Sequence, residues 1–319
     1  MRRVVAAVVA LVTVAACAAC AASPAPPRER PDREVRERAV EAAAVGAQGP
    51  TASTGSTGPA PNLPDPERRI PVRASRLADV LEETIIAREA AVERWSSSGG
   101  TAEWPVPDDV VLLTLYEQRI YRLLATRRAL LSDVIDRLAH RSSAQARLVG
   151  GAGRALYEHF TPVSEVPDFR IRAPESADAL RSYFRNGERR FEVAWEVLAA
   201  IMLVETRMGR IRSNSSAGAQ GPMQFLPSTW DAYGLGGDVR DPHDAVLGAA
   251  NYLDASGAPD DYRRALYAYN PVHAYVKAVW SYAKTMMRDP DTYYAFYNWQ
   301  VFVRTTDGDV RLSGPGFPV

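Results

Sequence analysis

Apolar positions recur at steps of three and four over most of the chain beyond residue 72. Leu77, Val80, Leu81, Thr84, Ile85 and Arg88 make a first run, closed by Gly99-Gly100. Pro107-Asp108-Asp109 opens a second, with Val111, Leu112, Leu115, Ile120, Leu123 and Leu124, then Leu130, Leu131, Val134, Ile135 and Leu138 on its apolar stripe. Opposite positions are mostly Arg, Glu and Asp, so each run is a helix with one dry face. The pattern predicts an antiparallel helical hairpin or small bundle over residues 72–160, of unknown role. The alternative is a coiled-coil dimer, with a second copy or another protein as partner. Gly150, Gly151 and Gly153 are expected to break this region, and residues 161–174 to form a proline-containing connection. Residues 175–300 read as helices with turns at Asn186-Gly187, Gly234–Gly237 and Ser256–Pro259. In residues 301–319 the period changes: Val301–Thr306 and Asp309–Leu312 flank the turn dipeptide Asp307-Gly308, a hairpin signal. The expected class is mainly α, with a small C-terminal β-hairpin.

The first twenty residues have a different character. Met1–Arg3 carries two positive charges and Val4–Ala16 is a short apolar run. That is the layout of a signal peptide, and it falls short of the ~20 apolar residues a permanent span needs. Val14-Ala15-Ala16-Cys17 resembles a bacterial lipobox, which implies lipidation of Cys17 and anchoring to a membrane in the bacterial cell envelope, outside the cytoplasm. The alternatives are cleavage near Ala22 with secretion, or lipidation at Cys20, whose −3 position is Cys17. Residues 21–71, with Ser23–Pro27, an alternating charge block at Arg28–Arg38 and a Gly/Ser/Thr/Pro-rich stretch at Gly49–Pro66, are expected to be a disordered tether. Its r.m.s. reach would be about 40 Å.

Composition narrows the chemistry. The chain has 38 basic and 38 acidic residues; loss of residues 1–16 would leave 36 against 38. A neutral chain is not a nucleic-acid binder by charge, and it gains little from anionic headgroups, so attachment would rest on acyl groups. Both cysteines precede residue 21, which excludes a disulfide scaffold and cysteine-ligated metal beyond it. The four histidines are scattered, so a helical zinc motif is absent. No cofactor and no metal are implied.

One carboxylate stands out. Phe191, Trp195, Leu198, Met202 and Glu205 step by four and three, which puts Glu205 on an apolar face. A carboxyl there loses hydration and its pKa rises, the condition for a general acid near neutral pH. The competing reading is a helix-end glutamate paired with Arg207 or Arg210 at the surface. Ten residues on, Ser215–Trp230 is dense in small residues and then turns apolar, a loop that lets a ligand approach the backbone.

Val204–Arg210, Gly218–Trp230, Asp241–Ala245 and Ala268-Tyr269-Asn270, in this order, resemble lytic transglycosylases. The first block is similar to the membrane-bound B type and the last to the soluble group. The resemblance covers about residues 175–300 and implies a lysozyme-like helical domain acting on a peptidoglycan glycan strand. It implies Glu205 as the acid/base, and Ser215, Met223, Gln224, Leu226, Tyr269 and Asn270 as substrate contacts. Thr206 stands where many relatives have serine, and Pro271-Val272 where Gly-Pro is usual. Two other readings stay open: a goose-lysozyme-like muramidase that uses Asp231 or Asp238 as partner, and a non-catalytic wall-binding lipoprotein. Asp241, Pro242 and Asp244 read as N-cap, N1 and N3 of a helix. Tyr293–Trp299, Trp230 and Trp280 read as core aromatics, and His273 as solvated.

Overall fold

A computed structural model describes residues 63–102 and 105–317. The signal peptide, Cys17, Cys20 and the tether as far as residue 62 lie outside the described residues. The described part of the tether is not free chain. Leu63 and Ile70 pack against the core, and Arg119 donates to the carbonyls of Pro66 and Arg68 at 2.7 and 3.0 Å.

Eleven helices and one hairpin follow among the described residues: α1 (Ala74–Ser97), α2 (Asp108–Thr126), α3 (Arg128–Ile135), α4 (His140–His159), α5 (Ala177–Phe191), α6 (Trp195–Thr206), α7 (Pro227–Tyr233), α8 (Pro242–Ala255), α9 (Tyr262–Tyr269), α10 (His273–Arg288), α11 (Thr292–Tyr297), β1 (Phe302–Thr305) and β2 (Gly308–Arg311). α1–α4 make a bundle whose stripe is used up inside the chain. α4 lies along α10 more extensively than any other two elements meet, and both halves share one hydrophobic core. The dry faces of α1 and α2 thus need no second copy to cover them.

The glycines expected to break residues 72–160 instead lie inside α4. Gly150 leaves room for the Leu131 side chain of α3, 2.6 Å from where a Cβ would stand, and Gly153 faces Ala125 of α2. Gly187 likewise lies within α5 rather than in a turn: its missing Cβ would be 2.8 Å from Leu198. At each position packing outweighs helix propensity, because removing a side chain brings two helices together. The hairpin forms one residue out of step with the expected turn. Thr305 pairs with Gly308, so Thr306-Asp307 make the turn. Val163 adds a short parallel bridge to β1.

α6 is the central element. Every one of its residues except Glu196 is buried. α5, α8, α10 and α11 pack around it. The apolar series does not start on this helix, since α5 ends at Phe191 on a left-handed Glu192. Glu205 is dry because α6 has no wet side, and not because it lies on one stripe of an amphipathic helix.

The bundle carries a buried charge pair of its own. Arg88, wholly buried on α1, donates from Nε to Glu117 on α2 at 3.1 Å, and Gln145 of α4 donates to the other Glu117 oxygen at 2.9 Å. Glu117→Leu should cost about 3 kcal/mol by leaving Arg88 only the longer ion-pair contact, to Glu89 at 3.8 Å, and the double variant Arg88→Met/Glu117→Leu should recover most of that loss. Urea denaturation midpoints test this; equal losses in single and double variants would contradict it.

Candidate active site

Glu205 occupies the last turn of α6 with 3% of its surface exposed. Burial pushes its pKa up to about 8, and the Tyr275 hydroxyl pulls it part of the way back. That hydroxyl lacks the geometry of a full hydrogen bond, and Glu205 Oε2 has no partner among the described residues. Among the described residues no carboxylate is close enough to act on it, and neither Arg207 nor Arg210 pairs with it. The surface ion-pair reading of Glu205 therefore does not hold.

The turn after Glu205 is tightly tied. Arg207, Met208 and Gly209 are consecutively left-handed, with φ of 54°, 59° and 78°. Thr206 Oγ1 donates to the Pro222 carbonyl at 2.6 Å and accepts from Gly209 N at 3.0 Å. A threonine where serine is usual so fastens the glutamate helix to the glycine-rich block. Within that block Ser215 N donates to the Ala219 carbonyl at 2.9 Å, and Ser215 Oγ accepts from Ala219 N at 2.9 Å, which leaves the hydroxyl proton available. Gly221 has φ of 72° and a Cβ there would fall 1.7 Å from the Val239 carbonyl oxygen, so only glycine fits.

Gln224, left-handed at φ 52°, donates to the Gly221 carbonyl at 2.9 Å and leaves its buried Oε1 without a partner. The Tyr269 hydroxyl donates to the Met223 carbonyl at 2.7 Å, and its ring meets Phe225 and Tyr252. Burial, then the neighbouring Glu205, holds the Tyr269 pKa well above its ordinary value. Asn270 caps α9 at its C-terminus and is buried. Met223 has no exposed surface and Leu226 is half-buried at the start of α7. The structure thus brings Glu205 and Tyr269 together, with Met223 and Gln224 on the loop that Tyr269 holds. Met223 is floor rather than surface.

Tyr275 was not singled out in the sequence. It continues as Val279, Tyr282 and Met286 along the buried face of α10, and that series carried the signal. Asp231 and Asp238 are exposed. Asp241 caps α8 by accepting from Asp244 N at 3.0 Å. Side-chain oxygens and nitrogens of Asp241, His243 and Asp244 lie within 4.8 Å of one another. Those atoms are engaged in the cap, in a bond from Asp238 N, and in a contact with Asn186. Tyr293, Tyr294, Phe296, Tyr297 and Trp299 are buried, Trp230 and Trp280 are partly buried against the same core, and His273 is exposed against Tyr267.

Residues 182–290 match the family model described as the Transglycosylase SLT domain. This segment is similar to a transglycosylase SLT domain. The match encloses Glu205, the glycine-rich block and Ala268-Tyr269-Asn270. The chain is also 29% identical over 162 residues to membrane-bound lytic murein transglycosylase F of Thiobacillus denitrificans, a match covering 47% of this chain. The chain spans about a third (34%) of that relative's length. No solved structure matches. The matched segment is mostly helical, broken by the glycine-rich block between α6 and α7, and its central helix carries the buried carboxyl.

That carboxyl has a cost in stability. Below pH 4.5 it is protonated in folded and unfolded chains alike; above it the unfolded chain ionises first, and folding weakens until about pH 8. Glu205→Gln should therefore be more stable at pH 7, on the order of 2–3 kcal/mol, with the gap closing towards pH 4.5. Urea midpoints of both proteins at the two pH values check this. A gap that ignores pH would mean the carboxyl is not held protonated.

Proposed function

We propose that the chain is a peptidoglycan lytic transglycosylase that cleaves the β-1,4 bond between N-acetylmuramic acid and N-acetylglucosamine and leaves a 1,6-anhydro sugar. The observation that carries this reading is a solitary, buried carboxyl raised to about 8. Glu205 would hold its proton at neutral pH and donate it to the glycosidic oxygen as the bond breaks through an oxocarbenium-like state. Ionised by that step, it would take the proton of the muramoyl 6-hydroxyl, which closes on its own C1. An attacker within the same sugar has a high effective molarity, so no second carboxylate is needed. A hydrolase would use one to activate water, and no carboxylate among the described residues acts on Glu205.

Ser215, Gln224, Tyr269 and Asn270 are proposed to bind the sugars, with Leu226 as an apolar contact and Met223 shaping the floor. Gln224 Oε1, buried without a partner, suits an acetamido N–H or a hydroxyl. Cys17 is proposed as the lipidated residue that anchors the mature chain in the envelope, with residues 18–62 as the spacer to the folded part.

Mass spectrometry of digested peptidoglycan tests the activity. Products should be one water lighter than hydrolysis products, and Glu205→Gln should release none above background. Products at hydrolytic mass would make the chain a muramidase; no release by wild type would make it a binding protein. Cys17→Ala should move the chain from the membrane fraction to the soluble fraction while keeping its activity, and retention in the membrane would assign the anchor elsewhere.

A further inference from the structure

Where α2, α4 and α10 meet the hairpin lies a cavity of about 50 Å³. That volume suits a few water molecules or one small ion. Its walls are apolar at Val149, Leu156 and Trp299, and its exposed rim includes Thr126 and Asp309. Three arginines, Arg122, Arg207 and Arg304, and one carboxylate, Asp309, line it, a net charge of +2.

Arg207 is the unusual member. It is 7% exposed, and burial brings its pKa down to about 10. Nη1 donates to the Leu203 carbonyl, and the guanidinium makes no ion pair among the described residues. Buried cations are normally paired, because removing one from water costs several kcal/mol. Its neighbour Arg210 makes a useful contrast: it also lacks a carboxylate among the described residues, but it donates to the carbonyls of Arg207 and Tyr297, lies over the Tyr297 ring and does not line this cavity.

The other cations around the cavity are partly satisfied. Arg122 donates to Asp309 at 2.7 Å, and Arg304 donates to the carbonyls of Tyr157 and Phe160 with its guanidinium 3.7 Å from the Tyr157 ring. The buried Tyr282, held between Phe296 and Trp299, feels Arg207 and Arg122, and its hydroxyl makes no hydrogen bond among the described residues. One guanidinium without an ion pair and the hydroxyls of Tyr282 and Tyr121, the latter buried without a partner among the described residues, thus share a small, electropositive space.

We propose that this cavity is a binding site for a small oxyanion, a carboxylate or phosphate group seated on the Arg207 guanidinium and accepting from the Tyr282 hydroxyl. The site is separate from the Glu205 chemistry and does not rest on the proposed activity. Charge-assisted hydrogen bonds from arginine to an oxyanion are the strong ones.

Calorimetric titration of the purified chain with sodium acetate, and separately with sodium phosphate, at constant ionic strength tests the site. At least one anion should bind saturably with one site per chain; acetate alone would point to a carboxylate source and phosphate alone to a phosphate source. Arg207→Met should abolish binding. Tyr282→Phe, which keeps the ring packing should Arg207→Met fail to fold, should weaken it roughly tenfold or more. No saturable binding of either anion, or binding unchanged in Tyr282→Phe, would overturn the proposal.

Discussion

A carboxyl group at the end of a helix with no wet side has to remain protonated, and the surrounding architecture follows from keeping that helix dry. α6 is apolar all round, so it needs cover in every direction. α5, α8, α10 and α11 supply it, and α10 is itself covered by α4 of the N-terminal bundle. The bundle therefore contributes to the setting of Glu205 without touching it. Gln118 of α2 adds a polar clasp, exchanging hydrogen bonds of 2.8 Å with the backbone of Gln300.

The loop opposite Glu205 is fixed by backbone rather than by side-chain bulk. Thr206 ties the glutamate turn to Pro222, Gly221 passes where no other residue fits, and Tyr269 holds the Met223 carbonyl. These contacts put left-handed residues on both sides of the site, at Arg207-Met208-Gly209 and at Gln224. Such conformations cost on the order of 1–3 kcal/mol for non-glycine residues and persist where neighbours over-determine them.

Helix periodicity made much of the fold legible, since α1, α2, α8 and the hairpin follow directly from stepping, caps and turn residues. It failed at glycine. Gly150, Gly153 and Gly187 carry the same one-letter signal whether they end a helix or let a neighbour approach, and only the neighbour, Leu131 or Leu198, decides. Glu205 could be read from its apolar company, though the apparent stripe through Phe191 crosses a break at Glu192. The apolar series of α10 marks Tyr275 as buried, but its place beside Glu205 and the cavity at Arg207 could not be read, because both depend on α10 folding back across α6 from some seventy residues away. The tether was drawn too long for a related reason: Leu63 and Ile70 look isolated in sequence and find their partners only in the bundle.

The seam between α4 and α10 bears on where the chain can be cut. The matched range, residues 182–290, begins inside α5 and omits the bundle, so a fragment trimmed to it would lay bare the flank of α10 that α4 covers. Such a strip of oily surface would invite clumping, and the residues annexed from outside the match belong to the smallest piece that can be handled alone.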